Sequence, residues 1–147
     1  MEVGATHVAL GHQHPTGGWA PTVTARMWWH TSERARASVG LGAAAFGFSS
    51  MHWLGVLAGP EVGSDYRVSG NWRVGAALAA DLGRVPITTN WGYPMRYWVI
   101  SPRAQTGVSY EAAPGASVSL GIAARYVTTL PWSGFSVEPA ARAIFGW

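Results

Sequence analysis

No cysteine and no lysine occur among the 147 residues, and charged residues of any kind make up only 12% of the chain. Without cysteine there is no disulfide framework, no thiolate metal site and no cysteine nucleophile. The compartment stays open, since proteins of the bacterial periplasm and outer membrane also do without cysteine. A soluble domain usually carries charge at about a quarter of its positions, so roughly half the expected charge is missing. The ten basic residues are all arginine, and the formal charge of +3 is scattered, with no basic run. That excludes the footprint of a nucleic-acid-binding module, which shows a basic stripe. Disorder is excluded as well, because 48% of the chain is hydrophobic and nine residues are tryptophan, enough apolar surface to bury.

A spanning helix is the first membrane reading to weigh. Nothing between Arg36 and Glu61 carries a formal charge, and about 20 apolar residues suffice to cross a bilayer as a helix. The run is broken, however, by glycines, by Ser49-Ser50-Met51-His52 and by Pro60. It divides into two alternating halves and reads better as two strands. Met1-Glu2-Val3 has neither the basic nor the apolar region of a signal peptide, so for an exported protein the signal is expected to have been removed.

Period two runs along the whole chain. In 54–68, Val56, Ala58, Pro60, Val62, Tyr66 and Val68 share one face, while Glu61, Asp65 and Arg67 share the other. After Ser69-Gly70-Asn71, Trp72, Val74, Ala76, Leu78, Ala80 and Leu82 oppose Arg73 and Asp81. This is a hairpin with one apolar and one charged face. The same alternation sets Arg26, Arg36, Arg103, Glu111, Arg125, Glu138 and Arg142 against runs of Val, Ala, Leu, Ile and aromatic residues. Eight strands are predicted, at 3–12, 19–30, 35–47, 53–68, 72–84, 97–111, 116–128 and 135–147. Short turns at 31–34, 69–71 and 112–115 occupy one end, and longer loops at 13–18, 48–52, 85–96 and 129–134 the other. In the first strand two faces compete: Thr6, Val8 and Leu10 against Val3, Ala5, His7 and Ala9. A hairpin period near 40 residues also resembles a propeller blade, but so few units cannot close a propeller.

Eight antiparallel strands close with the apolar face either inward, as in a soluble barrel or sandwich, or outward, as in a membrane barrel. The aromatic residues decide between them. An eight-stranded lumen is barely filled by side chains and has no room for this many rings. Trp29, Tyr66, Trp72, Tyr110, Phe145 and Trp147 share the apolar parity near the short turns, and Trp98, Tyr126 and Phe135 do so near the long loops. Two aromatic belts flanking an Ala, Val and Leu band match a bilayer with two interfaces. The expected fold class is therefore all-β: a single domain, 1–147, forming an eight-stranded antiparallel up-and-down transmembrane β-barrel.

With eight alternating strands, short turns at one end and a last strand closing on Phe145 and Trp147 after Val137, Ala141 and Ala143, the chain resembles the small outer-membrane β-barrels of the OmpA and OmpX kind. Segments such as GSDYRVSGNWRVGAAL read like their periplasmic hairpins. The resemblance covers the whole chain as pattern and length. It implies a Gram-negative outer membrane, termini and short turns on the periplasmic side, and long loops outside. It says little about activity, because this scaffold hosts many.

The inward face predicts a lumen ionic network of Arg26, Glu61, Asp65, Arg67, Arg73, Asp81, Arg103, Glu111, Arg125, Glu138 and Arg142, with Arg36 among them, and hence no wide pore. Loop 85–96, VPITTNWGYPMR, is the longest and most aromatic, making Asn90, Trp91 and Tyr93 the candidate contacts for a partner or ligand. Arg84 and Arg96 at its base are candidates for lipopolysaccharide phosphate, arginine being suited to bidentate contact. Membrane lipid and lipopolysaccharide are the expected partners. A further outer-membrane protein is another, because outward alanines such as Ala37, Ala76, Ala80, Ala124 and Ala143 permit close packing. His12, His14 and His52 are the candidate metal ligands, although a solvated loop is the better explanation for them. No cofactor is expected. His30-Thr31-Ser32-Glu33 matches the spacing of a lipid A deacylase, but it falls in a short turn at the wrong end, and Ser49, Ser50 and His52 lack an acid–base–nucleophile arrangement. No catalytic residues are assigned. The expected function is structural or binding, through the outer loops. The alternatives are a lipid-modifying enzyme and a subunit of a larger outer-membrane assembly.

Overall fold

A computed structural model describes residues 2–10, 16–48, 51–88, 94–114, 116–129 and 132–145. Its strands are β1 (Glu2–Leu10), β2 (Thr16–His30), β3 (Ala35–Phe48), β4 (Met51–Ser69), β5 (Trp72–Thr88), β6 (Pro94–Ala113), β7 (Ala116–Thr129) and β8 (Trp132–Phe145). Each pairs antiparallel with its neighbours in sequence, and β1 closes on β8 through Glu2↔Ile144 to Thr6↔Ala140. Closure leaves no edge strand, so the backbone donors and acceptors of the wall are used within the wall.

The turns hold the hairpins in register. Gly70 has φ of +50°, a left-handed backbone that the tight β4–β5 connection needs and that glycine adopts without a Cβ clash. The turn is also strapped to β6, because Asn71 Nδ2 donates to the Glu111 carbonyl at 2.8 Å and the Glu111 N–H donates to the Asn71 carbonyl at 2.9 Å. At the β2–β3 turn the Ser32 hydroxyl accepts the N–H of Ala35 at 3.1 Å and that of Arg34 at 3.4 Å.

At the loop end the strands run further than the sequence pattern suggests. Pro86 and Pro94 read as breakers, yet β5 and β6 stay paired through Pro86↔Arg96 and Thr88↔Pro94, because a hairpin ladder already in register carries a proline wherever its missing N–H falls outside a ladder bond. Arg96 therefore stands on a strand rather than in a loop, as Arg84 was expected to, and the backbone of His52 belongs to β4 rather than to the 48–52 loop. The competing faces of β1 are separated by register: Val3 pairs with Val23 and Ala143, and Ala5 with Ala141, all in rows whose β2 and β8 members face out.

The wall is apolar outside and polar inside. Leu41, Leu78, Leu120, Val62 and Ile122 are more than half exposed, while Glu61, Asp81, Arg103 and Arg125 are buried. The lumen is filled asymmetrically. Asp65, Gly75, Gly107, Gly121 and Ala140 form one row across β4 to β8, so the β5–β7 wall has almost no side chain at this height. Arg26, Trp28 and Arg36 on β2 and β3 occupy the space opposite.

Gly107 and Gly121 also bring β6 and β7 together. A Cβ on Gly121 would lie 2.1 Å from the Thr106 carbonyl oxygen and 2.7 Å from Gly107 Cα. Gly121→Ala is expected to destabilise the barrel by about 1–3 kcal/mol, the usual cost of overpacking. Thermal unfolding in detergent, followed by circular dichroism, checks this, with Gly70→Asn as the tolerated comparison.

Candidate functional site

The inward residues form two charged clusters. Toward the short turns, Arg36 grips Asp65 bidentately, Nε donating to Oδ1 at 3.0 Å and Nη2 to Oδ2 at 2.6 Å. Arg73 Nη1 donates to Asp65 Oδ1 at 2.8 Å. Glu111 stands more loosely, 3.7 Å from Arg73 Nε and 4.0 Å from Arg67 Nη2. Arg67 is half in solvent at this mouth, its side chain 45% exposed.

Deeper in, Glu61 accepts from Arg26 Nη2 on one oxygen and from Arg103 Nη2 on the other at 2.9 Å. Arg142 Nη2 lies 3.9 Å from Glu61 and donates to Gln105 Oε1, which also accepts from Arg103 Nη1 at 3.1 Å. Arg103 then reaches Asp81, its Nε 3.5 Å from Oδ2, and Asp81 takes Arg125 Nη1 at 3.0 Å. Arg125 further donates to the Ser101 hydroxyl at 3.2 Å. Above this layer Leu57 and Val99, joined in register through Gly83 and both buried, cap the charges with hydrocarbon. The side chain of Glu138 lies outside the described residues.

Trp28 joins the two clusters. Its ring centroid lies 4.6 Å from the Arg36 guanidinium carbon and 5.6 Å from that of Arg26, so one aromatic ring serves two cations, one from each cluster. Among the described residues the lumen keeps small chambers of about 50 and 110 Å³, both lined by Trp28 and Ile144. They have room for waters and are far from a continuous aqueous channel.

Trp28 and Ser101 are lumen residues that sequence reading missed, and Gln105, read on the polar face with Arg103 and Glu111, was not counted in the network. The signal for Trp28 was available, since it shares parity with Arg26 and Arg36's partner face, but it was obscured by its neighbour Trp29, which faces out and is 47% exposed. Gln105 and Ser101 share the parity of Arg103 without a charge to mark them.

The other candidates fall elsewhere. His12, His14, Asn90, Trp91 and Tyr93 lie outside the described residues, as does the side chain of His52. No group of three potential metal ligands occurs among the described residues. His30 and Ser32 are exposed in the β2–β3 turn, where the serine hydroxyl serves the turn backbone. Arg84 and Arg96 face outward at the loop end of adjacent strands, and Arg84 lies over the Trp98 ring, 4.7 Å from its centroid.

The fold is that of Neisserial surface protein A, whose crystal structure matches this chain with a TM-score of 0.70 at 16% identity, over 99% of this chain and 94% of that one. No protein-family model matches the sequence, and no curated protein does. The likeness shows the fold, a closed antiparallel β-barrel, and leaves activity open.

Glu61 is the carboxylate on which the deeper cluster converges. Removing its charge strands Arg26 and Arg103, and breaking a buried pair in this way costs about 3–5 kcal/mol. Glu61→Gln is expected to fall in that range, and Glu111→Gln, at a site one-third exposed, within about 1 kcal/mol. Urea unfolding of the protein in lipid vesicles, followed by tryptophan fluorescence, measures both.

Proposed function

We propose that the protein is an integral barrel of a bacterial outer membrane, closed to bulk solute, with a structural or binding role through its loop-end segments. The observation that carries this reading is the inverted burial: Glu61, Asp65, Arg73, Asp81, Arg103, Arg125 and Arg142 are internal and paired, and the middle of the outer wall is Leu, Val, Ile and Ala. In water such a wall would be an apolar patch far larger than a soluble monomer exposes. In a bilayer the same wall is solvated by lipid and every inward charge is shielded from it.

Two features give the wall a depth. Trp29, Tyr66, Trp72, Tyr110 and Phe145 are outward near the short turns, with Trp72 and Tyr110 stacked at a tilt, centroids 4.9 Å apart. Trp98, Tyr126 and Phe135 are outward near the loops. These serve as the two aromatic girdles at the interfaces. The likeness to an outer-membrane barrel supports this assignment, with the short turns on the periplasmic side. Lipopolysaccharide is the expected lipid at the loop end, and the 85–96 hairpin, with Asn90, Trp91 and Tyr93, is the surface offered to a partner.

The ionic lumen acts as the barrel's internal scaffold. A conduit for solutes would need a continuous gap, and the buried, ion-paired layer from Glu61 through Arg103 and Asp81 to Arg125 argues against one.

Two measurements test this. The refolded protein should insert into vesicles and show a heat-modifiable gel shift, and solubility without detergent would overturn the membrane assignment. In planar bilayers it should give no porin-sized conductance steps. Within the same framework, Leu78→Arg, at the middle of the outward face of β5, should cost about 2–4 kcal/mol of stability in the membrane, read from vesicle unfolding.

A further inference from the structure

Among the described strand residues, Arg84 and Arg96 are the only formal charges with outward parity. Both are arginine, both are exposed, and they sit on neighbouring strands in adjacent outward pairs, Arg84 opposite Trp98 and Arg96 opposite Pro86. The other strand charges whose side chains are described have inward parity, and each lies within 4.0 Å of a counter-charge. A guanidinium on the lipid-facing wall has no such counter-charge within the barrel, and its cost in the bilayer falls only toward the interface. Among the described residues neither side chain makes a hydrogen bond or ion pair. Arg84 nevertheless rests over the Trp98 ring, its guanidinium carbon 4.7 Å from the centroid, a cation–π contact that uses none of its N–H donors. Directly toward the membrane centre lie Leu82 and Ile100, 51% and 55% exposed, a surface for an acyl chain.

We propose that Arg84 and Arg96 form a clamp for the phosphate of a membrane lipid in the loop-end leaflet, with Trp98 positioning Arg84 and Leu82 and Ile100 receiving the chain below. Two guanidiniums in adjacent outward pairs suit a phosphate monoester, whose oxygens accept from both forks at once. This rests on the membrane assignment above and gives that assignment a specific lipid chemistry.

Native mass spectrometry of the detergent-solubilised protein tests the clamp, with equimolar phosphatidic acid and phosphatidylcholine of identical chains. The intact protein should retain phosphatidic acid preferentially as a single bound lipid. Arg84→Ala with Arg96→Ala should weaken that retention roughly tenfold, Trp98→Ala should weaken it less, and Trp98→Phe should restore it. Arg84→Lys with Arg96→Lys should keep part of it, as charge without the fork. The heat-modifiable shift confirms that each variant is a folded barrel. Equal retention of the two lipids by the intact protein, or unchanged preference in the double alanine variant, overturns the clamp while leaving the membrane barrel standing. Millimolar inorganic phosphate that abolishes lipid retention would reassign the site to a free anion, and failure of the protein to insert into any bilayer overturns both readings.

Discussion

A charge enclosed by a closed β-wall has to be matched inside that wall. This constraint organises the barrel. Desolvating an arginine or a carboxylate costs several kcal/mol unless a partner meets it with good geometry, and the lumen meets that demand by sharing: Asp65 serves Arg36 and Arg73, Glu61 serves Arg26 and Arg103, and Asp81 serves Arg103 and Arg125. Sharing ties strands distant in sequence to one another. Arg103 on β6 reaches β4 through Glu61 and β5 through Asp81, so the network crosses the barrel interior as well as running around its wall.

The glycines belong to the same constraint. Arginine side chains and an indole need volume, and an eight-stranded barrel has little. Gly75, Gly107 and Gly121 supply it by removing side chains from one wall at the height where Trp28 and its two arginines project from the other. The scarcity of charge in the composition and the abundance of glycine are thus parts of one packing solution: few charges in the lumen, those described there paired, with room cleared for them. The apolar exterior follows by subtraction, since period two sends to the outside whatever the lumen does not use.

Most of the architecture was legible beforehand because a two-residue period reports which face each residue takes, and charge marks the polar face without ambiguity. Strand number and the outward parity of Trp29, Tyr66, Trp72, Trp98, Tyr110, Tyr126, Phe135 and Phe145 could be read this way. Strand ends were less legible. Proline at 86 and 94 signals a break in an isolated segment, yet in a paired ladder its effect depends on which neighbour the missing N–H faces, and that is a property of register. Trp28 was overlooked for a related reason: a tryptophan pair on one strand divides between the two faces, and only the glycine row reveals that the lumen has space for the inward ring.

Alternation, a property of each strand alone, determined the fold class, the inside-out arrangement and the set of side chains that share the lumen. The pairings were decided by tertiary structure. Which arginine meets which acid depends on strand stagger and barrel closure, which bring Glu61 to Arg103 across 42 positions of sequence and Arg125 to Asp81 across 44. The same stagger places Arg84 on Trp98 and sets Arg96 one outward pair away, turning two separate arginines into one surface.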